Sequence, residues 1–421
     1  MGGTNDLQRF PVSPQDASQY RFRRNGSYMI HCVVTASGRF DPIRMERALQ
    51  RVCAAVPVLS SRYVCEDGVP VRWERLEELP PLVSSTSLSA DAAALLPYDM
   101  EGHPPVRAVV CRGIDHDGLV VSVDHVATDA RGMFVLMELL AQTYSRLRTN
   151  PSYTPEIVPQ PEDRSFSALF SQIPEDRLSG IVREAEDPVR PYLPWNNPFA
   201  GSAEEEEEEE FGILRRCVDA GTFRHLRNWC REHDATMQDV LIGCFARTLF
   251  DLGAAGTLPV LSVADLRRYF GEEASGWIAN LSANYWVPVP DLPETDLPEL
   301  IRAVSAYTNR WKSSWPGVAG AAFSLDASFR QHHTITLLTD DPSLNLEVPF
   351  LSNVGVIPPR AGNFGEGVHV SDLYVFANYM HDSCPAVMAG TWNGTLSLVS
   401  PETRVSGRVL DTFVYHLGEL S

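Results

Sequence analysis

The chain has 421 residues, is 44% hydrophobic and carries a formal charge of -19, enough length and apolar content for two ordinary domain cores. The excess of acid argues against a nucleic-acid partner, because phosphate backbones are held by clustered lysine and arginine. Lys312 is the only lysine and sits in neither a P-loop nor a Schiff-base context, and no G-x-S-x-G, H-E-x-x-H or strand-following G-x-G-x-x-G occurs.

In chain order, the polar start Met1 to Asp6 lacks the charged and apolar blocks of a secretory signal, and no run of about eighteen apolar residues follows. A cytoplasmic protein with no membrane span, and a monomer, is expected. Tyr28 to Val34 reads as a strand. Asp41 followed by Pro42 reads as an N-cap and first-turn proline, opening a helix to about Ala55 with Met45, Ala48, Leu49 and Val52 on its apolar face. Val56-Pro57-Val58-Leu59 ends it before a strand at Ser61 to Val64. The run Leu119 to Val123 is a strand, and Met133, Met137, Leu140, Tyr144 and Leu147 recur at helical spacing after it.

Residues 150–201 are rich in proline and charge and read as a long crossover, followed by the solvated run Glu204 to Glu210. Beyond it come a strand at Ile213 to Val218, a helix from about Ala220 to Glu232, and a helix start at Ala235-Thr236-Met237-Gln238-Asp239. Strands follow at Val260 to Val263 and Tyr285 to Val289. The division expected is 1–190 as a first lobe, 191–212 as an acidic linker and 213–421 as a second lobe. The eight cysteines form no C-x-x-C pair and sit mostly among apolar residues, as free buried thiols do.

The segment Asp124-His125-Val126-Ala127-Thr128-Asp129 lies where a strand hands over to a helix, so two rigid elements hold its histidine. A neutral imidazole at such a point suits general base catalysis at neutral pH. The alternatives are a histidine that caps the helix or fills the core, and an aspartate that serves only as N-cap. A divalent-metal site from Asp124, His125 and Asp129 is disfavoured because no further ligand cluster is apparent, so no metal is expected.

The spacing His-x-x-x-Asp after a strand resembles the His-His-x-x-x-Asp-Gly signature of the condensation-domain and CoA-dependent acyltransferase superfamily. The resemblance extends in order to Gly38-Arg39-Phe40-Asp41, Thr236 to Leu241, Asp265-Leu266-Arg267, Asn280-Leu281-Ser282 and Ser352-Asn353-Val354-Gly355. Around Asp129-Ala130-Arg131-Gly132 it is nearer to alcohol-acetyltransferase-like and mycobacterial polyketide-associated acyltransferases than to peptide-synthetase modules. It implies an α/β fold of two chloramphenicol-acetyltransferase-like lobes, each a mainly antiparallel mixed sheet with helices, forming a pseudo-dimer around a central channel. It also implies an enzyme of secondary metabolism that moves an acyl group from a CoA thioester to a small hydroxyl or amine acceptor. An acyl carrier protein bearing a phosphopantetheine thioester is the alternative donor, and a silent binding relative is a third reading. No permanently bound cofactor is implied.

Carried over residue by residue, the resemblance makes His125 the base and makes Asp129 a structural residue paired with Arg267. It places Ser352, Asn353 and Gly355 on a channel-facing strand that could stabilise an oxyanion, against the equal alternative of an edge-strand bend. Two positions depart from the pattern. Asp124 replaces a histidine, and a carboxylate close to the ring would raise its pKa. Ala130 replaces a glycine, leaving Gly132 to supply any positive φ. His332-His333 has Leu337 where the aspartate belongs and His381 has Pro385, so neither repeats the motif.

Overall fold

The computed structural model describes residues 9–21, 28–66, 68–98, 102–174, 176–177, 195–199, 212–292, 295–312, 348–377 and 384–421. In chain order the strands and helices are β1 (Arg9–Pro11), α1 (Pro14–Arg21), β2 (Met29–Gly38), α2 (Pro42–Ala55), β3 (Ser61–Glu66), β4 (Val69–Arg75), β5 (Val83–Thr86), α3 (Ala90–Ala94), β6 (Val106–Arg112), β7 (His116–Asp124), α4 (Ala130–Arg146) and α5 (Ser167–Phe170). They continue with β8 (Ile213–Val218), α6 (Ala220–Glu232), α7 (Met237–Asp251), β9 (Thr257–Asp265), β10 (Ser282–Pro290), α8 (Leu297–Lys312), β11 (Phe350–Val356), β12 (Val368–Ala377), β13 (Ala386–Trp392), β14 (Thr395–Pro401) and α9 (Ser406–Glu419).

The chain forms two compact units, and neither is continuous in sequence. The first comprises Met1–Ser171, Arg267–Leu281 and Val356–Asn378, and the second comprises Gln172–Leu266, Ser282–Gly355 and Tyr379–Ser421. The expected 213–421 lobe is therefore interrupted twice, because hydrogen-bonded pairing outweighs chain order. β12, far along the sequence, pairs antiparallel with β2 from Val368↔Gly38 to Ala377↔Ile30. Within the crossover expected over 150–201 the chain passes from the first unit to the second after Ser171, and Arg164, Phe166 and Leu169 are buried. Within the expected linker 191–212, Trp195 is buried and Asn196 bridges to Ala255, while the glutamate run lies outside the described residues.

In the first unit the sheet order is β12-β2-β7-β6-β5, with a separate three-stranded sheet β1-β4-β3. The pairs β12–β2, β2–β7 and β7–β6 are antiparallel, and β5 joins β6 in parallel. β7 lies inside the sheet and is buried along nearly its whole length, which is why Leu119 to Val123 reads as a mostly apolar run. α2 is capped as its sequence demands, Asp41 accepting from the N–H groups of Ile43 and Arg44 at 3.0 and 3.1 Å. Its apolar face meets α4, whose stripe includes Met133, Met137, Leu140 and Tyr144.

In the second unit the order is β10-β9-β11-β13-β14-β8, and α6 to α9 contribute the apolar side chains that fill its core. α7 opens with a reciprocal capping box, Thr236 bonding the Asp239 N–H and Asp239 returning to the Thr236 N–H. Both units are thus mixed, mainly antiparallel sheets with helices, the architecture expected from the sequence. None of the described helices is long and apolar enough to cross a membrane.

Candidate active site

The loop between β7 and α4 is closed from both ends. At its start the Asp124 N–H donates to Pro105 at 2.7 Å, its carbonyl accepts from Ala127 at 2.9 Å, and its carboxylate accepts from the Val126 N–H at 2.9 Å. Asp124 is 1% exposed, with the Tyr63 hydroxyl 3.5 Å from its other oxygen. At the loop's end Asp129 is the N-cap of α4, accepting from the Gly132 N–H at 2.9 Å.

Ala130 is the first helical residue and does not have positive φ, nor does Gly132. Gly132 is needed for space instead of conformational freedom. A Cβ there would overlap the Thr128 hydroxyl and lie 3.2 Å from the Ile278 Cα.

Asp129 and Arg267 make a two-pronged ion pair, Nη1 to Oδ2 at 2.7 Å and Nη2 to Oδ1 at 2.9 Å. Both are buried, and both are further satisfied. Asp129 accepts from the Leu281 N–H at 2.9 Å, while Arg267 Nη2 donates to the carbonyls of Ala279 and Trp277 at 3.0 and 3.2 Å. Burial pushes the Asp129 carboxyl up, but the Arg267 charge with the Arg267, Gly132 and Leu281 donors outweighs it and holds the group below the ordinary carboxylate range. The segment Arg267–Leu281 is thereby clamped to the start of α4.

Asn280, in that segment, determines the state of the histidine. Its amide nitrogen donates to the His125 carbonyl at 2.8 Å, to the Val126 carbonyl at 3.0 Å and to Asp16 at 3.0 Å. All three partners are acceptors, so the amide cannot be turned round. Its oxygen must face His125 Nδ1, 3.2 Å away, and that nitrogen must carry the proton. Nε2 is then left with a free lone pair, and among the described residues it makes no hydrogen bond. The ring is half-buried and stacks on Tyr28, with centroids 4.6 Å apart and planes 11° off parallel.

Burial pushes the His125 pKa down, and it stays below the ordinary imidazole value although its own carbonyl, Asp129, Asn280 and Asp16 all favour the cation. The rise that a nearby Asp124 carboxylate would cause is not what occurs. That carboxylate is engaged by the Val126 N–H.

Asp16 and Arg164 complete the network and were not singled out from sequence. Arg164 holds Asp16 through Nε at 3.0 Å and Nη2 at 3.3 Å, and also donates to the carbonyls of Ala127 at 2.7 Å and Ile278 at 2.9 Å. The signal for Asp16 was available in Ser13-Pro14-Gln15-Asp16, a helix start in which Ser13 accepts from the Asp16 N–H at 3.1 Å. Nothing local distinguishes Arg164 from the charged residues around it.

Ser352, Asn353 and Gly355 lie on β11 of the second unit. The Asn353 side chain accepts from the Gly355 N–H at 3.0 Å, and Gly355 has φ +81°, which makes a bend. The strand is internal, between β9 and β13, so the bend does not lie at a sheet edge. His332, His333 and His381 lie outside the described residues. Of the free cysteines, Cys217 is exposed, Cys65 is half-buried and the rest are buried.

By sequence, no family model and no curated protein matches the chain. Solved structures do match it. Polyketide synthase associated protein 5 of Mycobacterium tuberculosis superposes with a TM-score of 0.70 at 15% identity, over 98% of each chain. The first condensation domain of the calcium-dependent antibiotic synthetase, in complex with a substrate analogue, gives 0.75 at 15% identity, over 98% of this chain and 96% of that one. Trichothecene 15-O-acetyltransferase of Fusarium sporotrichioides gives 0.72 at 12% identity, over 98% and 95%. The chain shares the fold of these condensation-domain and acetyltransferase structures.

Proposed function

We propose that the protein is an acyltransferase that moves an acyl group from a thioester to a hydroxyl or amine acceptor, with His125 as general base. The observation that carries this reading is the setting of the ring: Nδ1 lies 3.2 Å from the Asn280 oxygen, burial favours the neutral imidazole, and among the described residues Nε2 makes no hydrogen bond. Nε2 takes the acceptor's proton as the oxygen or nitrogen attacks the thioester carbonyl. The tetrahedral intermediate then expels the thiolate, which receives that proton back from the imidazolium. While the cation exists, the carboxylates of Asp129 and Asp16 and the carbonyl oxygen of Asn280 favour it.

Asp129 and Arg267 keep the loop in place, and Asp124 and Gly132 shape it. A CoA thioester is the preferred donor. A carrier-protein phosphopantetheine thioester presents the same reacting carbonyl and is the alternative.

The test is a panel of acyl-CoA and acyl-phosphopantetheine thioesters offered with alcohols and amines, followed by mass spectrometry. Wild type should form an ester or amide that His125→Ala forms about 10²–10⁴-fold more slowly. Equal rates in the two proteins would refute the assignment of the base.

A further inference from the structure

The imidazole does not end at Asn280. Its Nδ1 proton faces the Asn280 oxygen, the Asn280 nitrogen donates to Asp16, and Asp16, 0% exposed, is held by Arg164. We propose that Asp16 and Arg164 are positioning residues of opposite sign for the base, Asp16 favouring its cation through the Asn280 amide and Arg164 restraining that influence. This rests on His125 being the base.

When Nε2 takes a proton, the ring becomes a cation and its Nδ1–H···O bond strengthens. An amide whose N–H groups point at a carboxylate is polarised in the sense that makes its oxygen a better acceptor, so Asp16 assists at the moment charge appears. Arg164 holds the carboxylate in register and ties it to both sides of the site, through the carbonyls of Ala127 and Ile278. It also places a positive charge that offsets the carboxylate. Among the described residues, the other charged or titratable groups around the ring are Asp129 with its partner Arg267, the adjacent Asp124 and the stacked Tyr28. Neither substitution below removes any of them.

The opposite signs give a test that a merely structural role would not pass. Asp16→Asn keeps the shape and an acceptor for Asn280 but removes the negative charge, so the His125 titration should move down by on the order of half a pH unit. Arg164→Met leaves the carboxylate unopposed and should move it up by about as much. The readout is the ¹⁵N chemical shift of the His125 imidazole against pH, assigned by its loss in His125→Ala, with the acid limb of kcat as a second measure. In Asp16→Asn kcat should fall by up to about threefold, the most that a shift of half a unit can supply, with KM unchanged. Should Arg164→Met fail to fold, Arg164→Lys serves instead. It keeps the charge, so its titration should stay with wild type while that of Asp16→Asn moves.

Shifts of the same direction in Asp16→Asn and Arg164→Met, or no shift in Asp16→Asn, overturn the proposal. If the titrations diverge as expected while wild type transfers no acyl group, the relay stands and the reaction assigned to it falls.

Discussion

The Asp129–Arg267 pair offers the most direct test of how the histidine loop is held. Arg267→Met removes two charge-assisted bonds at 2.7 and 2.9 Å and leaves Asp129 with the backbone donors of Gly132 and Leu281 alone. Removing one partner of a buried pair strands the other charge, at a cost of about 3–5 kcal/mol. Asp129→Asn strands Arg267 instead, whose carbonyl partners Ala279 and Trp277 only partly compensate. Because asparagine still caps a helix, the double variant strands no charge. Its destabilisation should fall short of the sum of the single effects by about 2 kcal/mol or more.

The pH dependence has a definite sign. In wild type the Asp129 pKa is depressed, so its stabilisation is present above the unfolded carboxylate value of about 3.9 and is lost only as pH falls through the lower folded value. In Arg267→Met the burial of Asp129 is no longer opposed by a cation, and its folded pKa should rise above the unfolded one. The folded variant then gains protons ahead of the unfolded chain as pH falls, and its deficit against wild type should shrink between pH 7 and pH 5. Urea unfolding followed by tryptophan fluorescence at both pH values measures this. A variant within about 0.5 kcal/mol of wild type, or a deficit that grows on acidification, would refute the reasoning.

Two further outcomes are expected. Because burial depresses the His125 pKa, the acid limb of kcat/KM should lie below the ordinary imidazole value of about 6.5, and a limb above it would mean that another group is being read. Gly132→Ala should cost about 1–3 kcal/mol by overlap with the Thr128 hydroxyl, and adding Thr128→Ala should recover part of the loss. Thermal unfolding of the two variants checks this, and a harmless Gly132→Ala would mean that the loop has room.

What was legible in the sequence is what local chemistry determines. Asp41-Pro42 and Thr236 to Asp239 announce helix starts because capping is a matter of a few adjacent residues, and both are capped as they read. Ile213–Val218 and Ala220–Glu232 likewise end where their apolar patterns end. The exchange of Arg267–Leu281 and Val356–Asn378 between units was not legible, because strand pairing such as β12 on β2 joins residues hundreds of positions apart. Arg164 was hidden for a related reason. A proline-rich charged stretch has the composition of a linker, and only the carbonyls of Ala127 and Ile278 and the Asp16 carboxylate, all distant in sequence, explain why its guanidinium is buried.

The two departures from the family pattern that weaken a reading from sequence have local explanations in the structure. Position 124 is the last residue of a buried strand and must tie down the next turn. A carboxylate accepting from the Val126 N–H does that directly, and in doing so turns toward the backbone while the ring pKa falls. Position 130 is an ordinary first helical residue, so glycine is not needed there, and the demand for a residue without a side chain falls on Gly132, where the Thr128 hydroxyl and the Ile278 backbone approach. Neither replacement touches Nε2 of His125 or the Asn280 amide that sets its tautomer. On the proposed reading Asp124 and Ala130 leave the base unchanged, and Asn280 becomes the residue to test: a substitution there would free the ring to change tautomer and withdraw the lone pair on which the proposed proton transfer depends.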